Sequence, residues 1–138
     1  MDKATLLYTT IQNLSSRIRS IKEQALRSPA YQDLSLAAIH YLHTIDGMKD
    51  PTFVELADRL GYSKPSVTVM VSKLIDRGFV RKTRSREDGR VYYLSLTTAG
   101  AEITAAYEAA QAQVVEHITS KLDSDEIDRL IRLLDKIS

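Results

Sequence analysis

Five basic side chains, Arg81, Lys82, Arg84, Arg86 and Arg90, fall within residues 81–90 against only two acids, Glu87 and Asp88. Just before them, residues 63–73 supply Ser63, Ser66, Thr68 and Ser72 together with Lys64 and Lys73. Guanidinium forks grip phosphate oxygens in pairs, while hydroxyls and the free N–H groups of a helix start donate to phosphates or to base edges. This is chemistry for holding a polyanion, not for making and breaking bonds. Cysteine is absent, and there is no glycine-rich phosphate loop and no Ser-His-Asp arrangement with sequence context. The expectation is a chain that is not an enzyme and uses no cofactor.

The charge distribution sharpens that reading. The chain has 138 residues and a formal net charge of +1. Residues 1–62 are neutral, residues 63–100 carry eight basic side chains against three acidic ones (+5), and residues 101–138 carry four against eight (−4). A solvated lysine-rich face is the ordinary source of such an excess, but such faces mix signs, whereas here the positive charge sits in one block. Nucleic acid is the partner that a concentrated positive block fits.

The elements that must position this block follow from periodicity. Ser63 opens a helix that carries Val67, Met70, Val71 and Leu74 at three- and four-residue spacing and stops at Gly78. Thr52-Phe53-Val54-Glu55 after Pro51 is a capping-box pattern that starts a shorter helix with Leu56, Ala57 and Leu60 inward, ending at Gly61. Two short helices hinged at a glycine make a helix-turn-helix. Residues 79–96 then switch to two-residue alternation, with Tyr92, Leu94 and Leu96 on one face, and Asp88-Gly89 predicts a tight hairpin turn with glycine at positive φ. The helix-turn-helix is thus followed by a basic β-wing.

Upstream, Leu6, Leu7, Ile11, Leu14, Ile18, Ile21 and Ala25 give a long helix over residues 3–27, broken by Ser28-Pro29. A second helix is expected over 34–45 with Leu36, Ala37, Ile39, His40 and Leu42 packed. Downstream, Thr97 caps a helix to about residue 121, and Asp123-Ser124-Asp125-Glu126 caps a last one carrying Ile127, Leu130, Ile131, Leu134 and Ile137. The fold class is therefore mainly α with a small β-wing. The chain is expected to form a single domain, 1–138, with a winged helix-turn-helix core at 34–100. With 43% hydrophobic and 27% charged residues, no apolar run near ~20 residues and no signal-peptide pattern at the start, a cytoplasmic protein without a membrane partner is expected.

The run from Leu56 to Gly100 resembles the MarR family of bacterial winged-helix transcriptional regulators, most specifically in Gly78-Phe79-Val80, Asp88-x-Arg90 and Leu96-Thr97-x-x-Gly100. The resemblance extends from about Leu34 to Leu122 and more loosely over the terminal helices. It implies a homodimer in which residues 1–30 and 101–138 supply the dimerisation helices. A 25-residue apolar stripe, about 37 Å long, points the same way, because it needs a partner beyond a small core. Two recognition helices related by a two-fold axis then read a pseudo-palindrome in double-stranded DNA, with half-sites about 10 base pairs apart.

Ser63, Lys64, Ser66, Thr68, Val69 and Ser72 form the expected recognition face, and Arg84, Arg86, Asp88 and Arg90 the expected wing contacts. The resemblance gives Ser66 and Thr68 base-edge roles and makes Asp88 the residue that orients Arg90 toward a minor groove or a phosphate, and Lys64 is placed to reach a guanine or a phosphate. Many members carry arginine at the positions of Val69 and Gly89. Val69 either meets a thymine methyl or is packed, and Arg86 or Arg84 stands in at the wing tip. Ser63 is as well suited to capping as to binding phosphate. Lys73, Arg77, Arg81 and Lys82 make backbone contacts or none.

The family also implies repression relieved by an effector. Tyr8, Tyr31, His40, Tyr41 and Tyr107 are candidates for the walls of an amphipathic effector pocket, against ordinary helix packing. The 34–45 stretch loosely resembles relatives that control fatty-acid synthesis and sense acyl chains. A metal-responsive regulator using His40, His43 and His117 is one alternative, with core or surface histidines favoured over a metal site. The other is a winged-helix module that docks proteins. Without cysteine, the thiol-based peroxide sensing of some relatives is excluded.

Overall fold

The computed structural model describes residues 1–138 in the order α1 (Lys3–Ala25), α2 (Leu36–Gly47), α3 (Phe53–Leu60), α4 (Lys64–Asp76), β1 (Val80–Arg84), β2 (Tyr92–Leu96), α5 (Thr98–Thr119) and α6 (Ser124–Ile137). The mainly helical class with one two-stranded antiparallel sheet is as the periodicity predicts. The chain divides into two compact units, residues 26–107 and residues 1–25 with 108–138.

In the unit of residues 26–107 the local signals do what their chemistry requires. Thr52 Oγ1 accepts from the Glu55 N–H at 3.1 Å, and Glu55 Oε1 accepts from the Thr52 N–H at 3.2 Å, closing the capping box of α3. Gly61 ends that helix at φ 72°, a left-handed conformation that costs glycine little. At the other end of α4, the Phe79 N–H donates to Leu74 O and the Gly78 N–H to Ile75 O, both at 2.9 Å, with Gly78 at φ 80°. This six-to-one and five-to-two pairing satisfies the last carbonyls of α4 and turns the chain into β1.

The core of this unit gathers Leu42 and Ile45 from α2, Leu56 from α3, Val67, Val71 and Leu74 from α4, Leu94 from β2 and Ile103 from α5, each essentially inaccessible. Gly100 sits where a side chain could not. The Phe79 carbonyl, which accepts from the Thr97 N–H at 3.1 Å, occupies the space a Cβ on Gly100 would need. Thr97 Oγ1 donates to Gly78 O at 2.6 Å and accepts from the Gly100 N–H at 3.1 Å. The Leu-Thr-x-x-Gly sequence thus latches the start of α5 onto the end of α4.

Two sequence expectations are corrected here. α2 begins two residues later than predicted, on the Ser35 cap whose side chain accepts from the Ala38 N–H at 3.0 Å. Its inward face is Ala38, Ile39, Tyr41, Leu42 and Ile45, whereas Ala37 and His40 are exposed. The segment is apolar on both sides, so packing against α3, α4 and β2 rather than pattern decides its rotation. The wing has no two-residue Asp-Gly turn, and Gly89 is not at positive φ. Residues 85–91 form a longer loop in which Ser85 Oγ accepts from the N–H groups of Glu87 and Asp88, both at 3.2 Å, and the Val91 N–H donates to Asp88 O at 3.0 Å. A serine hydroxyl organises the turn that glycine was expected to make.

The unit of residues 1–25 and 108–138 is helical. Asp123 and Glu126 form a reciprocal capping box at the start of α6, at 2.8 and 3.0 Å. Both α1 and α6 lack buried residues, and their apolar positions stand in the open, with Leu6, Leu7 and Ile11 on α1 and Ile131, Leu134 and Ile137 on α6 each about half exposed or more. No helix of the chain is long and apolar enough to cross a membrane.

Candidate nucleic-acid interface

α4 buries Val67, Val71 and Leu74 and turns the opposite side outward. At 3.6 residues per turn Val69 lies diametrically opposite that stripe, and its side chain is 57% exposed, so the packed alternative for Val69 does not hold. Lys64, Ser66, Thr68 and Ser72 are exposed around it. Ser63 is the N-cap. Its Oγ accepts from the Ser66 N–H at 3.3 Å and donates to Ser66 Oγ at 2.9 Å. Ser63 thus caps α4, and its hydroxyl shares a hydrogen bond with the exposed Ser66 hydroxyl.

The wing pairs Val80 with Leu96, Lys82 with Leu94 and Arg84 with Tyr92 across the sheet. Asp88 and Arg90 meet as the shared Asp-x-Arg pattern implies. Asp88 Oδ1 accepts from the Arg90 backbone N–H at 3.0 Å and from Nε at 3.1 Å, and Oδ2 accepts from Nη2 at 3.3 Å. These bonds hold the Asp88 carboxyl below its ordinary carboxylate range, first through the Arg90 side chain and then through its N–H. The Arg90 side chain nevertheless remains 91% exposed. A guanidinium fixed at one edge and open at the other is a preorganised fork for phosphate or groove. Arg86 is exposed on the same loop.

Arg84 is placed differently from what its charge promises. Its Nε donates to Gly89 O at 2.8 Å, and its guanidinium lies 5.8 Å from the Tyr92 ring centre, with Lys82 Nζ at 4.9 Å from the same ring. The side chain runs back along the wing and ties its tip. Arg77 also has a role that its neighbours in sequence did not announce. Its Nη1 and Nη2 donate to the Asp33 carboxylate at 2.8 and 3.1 Å, and it lies 5.4 Å from the Phe79 ring centre. The fork lowers the Asp33 pKa, chiefly through that side-chain hydrogen bond. The partners are 44 residues apart, so no local pattern could reveal them.

The effector candidates are scattered by role. Tyr8, in the helical unit, is 64% exposed. In the other unit Tyr31 is half-buried and His40 exposed, whereas Tyr41 and Tyr107 are buried. Tyr41 packs against Tyr62, ring centres 5.9 Å apart, and its burial pushes the phenol above its ordinary pKa. Tyr107 meets His43 edge-on at 4.9 Å. A groove of about 760 Å³ runs beside Tyr41 and Tyr62 to Ser66, Val69 and Met70. His40 and His43 line a smaller cavity, about 320 Å³, which also holds Arg59, a poor neighbour for a cation. The chain has no group of three His, Asp or Glu side chains placed to share a metal ion; His117 lies on α5 in the helical unit.

Comparison with known proteins agrees with this architecture. A family model described as MarR family matches residues 32–91. An HTH-type transcriptional regulator of Mycobacterium leprae is 31% identical over 123 residues, covering 87% of this chain and 83% of the relative. The HTH-type transcriptional repressor MdtR of Bacillus subtilis is 26% identical over 126 residues, covering 88% and 81%. Among solved structures, Streptococcus pneumoniae FabT in complex with DNA superposes with a TM-score of 0.87 at 23% identity, over 98% of this chain and 94% of that one, which shows a shared fold. The chain belongs to the MarR family of winged helix-turn-helix transcriptional regulators.

Proposed function

We propose that the protein is a homodimeric repressor that binds a pseudo-palindromic operator in double-stranded DNA and is released by a small-molecule effector. The observation that carries the DNA reading is the joint exposure, from one compact unit, of the α4 face around Val69 and of the Asp88-organised Arg90 fork. A recognition helix and a basic wing offered together match major-groove reading with a flanking backbone or minor-groove contact. The repressor role is supported by the similarity to MdtR, a transcriptional repressor. The dimer is supported by the open apolar faces of α1 and α6, which another copy would cover. The effector candidates are Tyr31, His40, Tyr41 and Tyr107 of the unit of residues 26–107 and, separately, Tyr8 of the other, and apolar acyl or aromatic compounds fit the chemistry of these rings.

The test is fluorescence anisotropy with the duplex upstream of the protein's own gene and with a shuffled duplex, at about 50 and about 200 mM salt. The expected result is tight binding to the upstream duplex alone, weakening about a hundredfold or more between the two salts as counterions are released. A winged-helix module that docks proteins is the second reading, favoured by the exposure of Val54, Tyr62 and Val69. Absence of duplex binding at low salt would decide for it.

A further inference from the structure

We infer that this protein reads its half-site through thymine methyl groups, with Val69 as the residue that contacts them, rather than through the hydrogen-bonding edges of guanine. The inference deepens the DNA-binding reading and rests on it. Across α4 there is no Arg, Asn, Gln or Glu; the side chains that could read guanine or cytosine are confined to its ends, Lys64 at the first position and Lys73 and Asp76 in the last turn, so none stands at the centre of the outward face. What stands at the centre of the outward face is an exposed isopropyl group, opposite the buried Val67, Val71 and Leu74 stripe. Around it are the short hydroxyls of Ser66, Thr68 and Ser72, which bond to any base. The one acid on the helix, Asp76, occupies its last position, so anion-compatible contact is confined to the preceding turns.

A valine exposed at that point costs hydration in the free protein and recovers it only against an apolar partner, and the thymine C5-methyl is the apolar group of the major groove. The wing is compatible with the same base composition. Arg90, fixed by Asp88 and 91% exposed, is suited to the narrow, strongly negative minor groove of A·T-rich DNA.

The experiment begins with selection of bound duplexes from a random pool by the full-length protein. Thymines at the positions facing α4 are expected. Replacing each with deoxyuridine removes one methyl and leaves every hydrogen bond in place, and should weaken binding about fourfold per contacted methyl. Val69→Ala, a change at an exposed site, should lose a similar factor and become insensitive to the deoxyuridine exchange. Guanine selected at those positions, equal affinity for thymine and deoxyuridine, or undiminished methyl sensitivity in Val69→Ala would each overturn the inference while leaving DNA binding intact. Failure of the parent protein to enrich any duplex would instead overturn the underlying reading together with this one.

Discussion

Arg84 and Arg90 look equivalent in the sequence, two arginines on one hairpin, and the structure gives them different work. Arg90 is the exposed fork, and Arg84 is turned back onto Gly89 O and the Tyr92 ring. Arg90→Ala should therefore lower duplex affinity about tenfold or more and flatten the salt dependence by about one released counterion, with no change in thermal unfolding. Arg84→Ala should also weaken binding, but by loosening the loop that presents Arg90. Combined with Arg90→Ala it should add almost nothing. Anisotropy titrations of the two single variants and the double variant measure this coupling, and full additivity would make Arg84 an independent DNA contact.

Between elements, the joints are made by backbone groups, so they are sensitive to small substitutions. Gly100→Ala places a methyl against the Phe79 carbonyl, which cannot retreat because the Thr97 N–H holds it. The expected cost is about 1–3 kcal/mol, read by chemical denaturation, and stability equal to the parent's would refute the latch. Asp33 and Arg77 join the segment before α2 to the end of α4. Because the bridge lowers the Asp33 pKa, its contribution is complete above the ordinary value of 3.8 and disappears as pH falls through the depressed value. Asp33→Asn should therefore unfold at nearly the parent's denaturant concentration at pH 7, where the pair is screened by its exposure, and show a flatter loss of stability below about pH 4 when followed by circular dichroism.

The same elements show what was legible beforehand. Caps are local, three residues from donor to acceptor, so Thr52, Ser63 and Asp123 could be read directly, as could the stop at Gly78. The α4 face was legible because its buried stripe is narrow and its opposite side polar. The rotation of α2 was not, since LAAIHYL is apolar nearly all round and only its packing partners distinguish Ala38 from Ala37. The wing loop and the Arg77–Asp33 fork were hidden for a related reason. Ser85 and Asp88 act through backbone geometry that composition does not encode, and Asp33 reaches Arg77 only after folding.

On the scale of the whole molecule, the unresolved demand is the apolar surface that one chain leaves in water. On α6, Ile131, Leu134 and Ile137 are 59%, 49% and 77% exposed, and α1 adds Leu6, Leu7 and Ile11. A single copy gains nothing from keeping these side chains apolar, whereas a second copy that covers them recovers roughly 25 cal/mol for each Å² removed from water. Association would also double the number of recognition helices on one operator, converting the second contact into an intramolecular one worth about 10²–10⁴ in apparent affinity. Ile131→Glu combined with Leu134→Glu places two charges on that face without touching the core of residues 26–107. The pair should halve the mass found by sedimentation equilibrium, leave the melting of the core unit unchanged, and reduce operator affinity by about a hundredfold while leaving binding to an isolated half-site intact. A variant that remains dimeric would remove α6 from the interface. Loss of half-site binding as well would mean that the helical unit supports the DNA-reading unit directly, and not only by pairing it with a second copy.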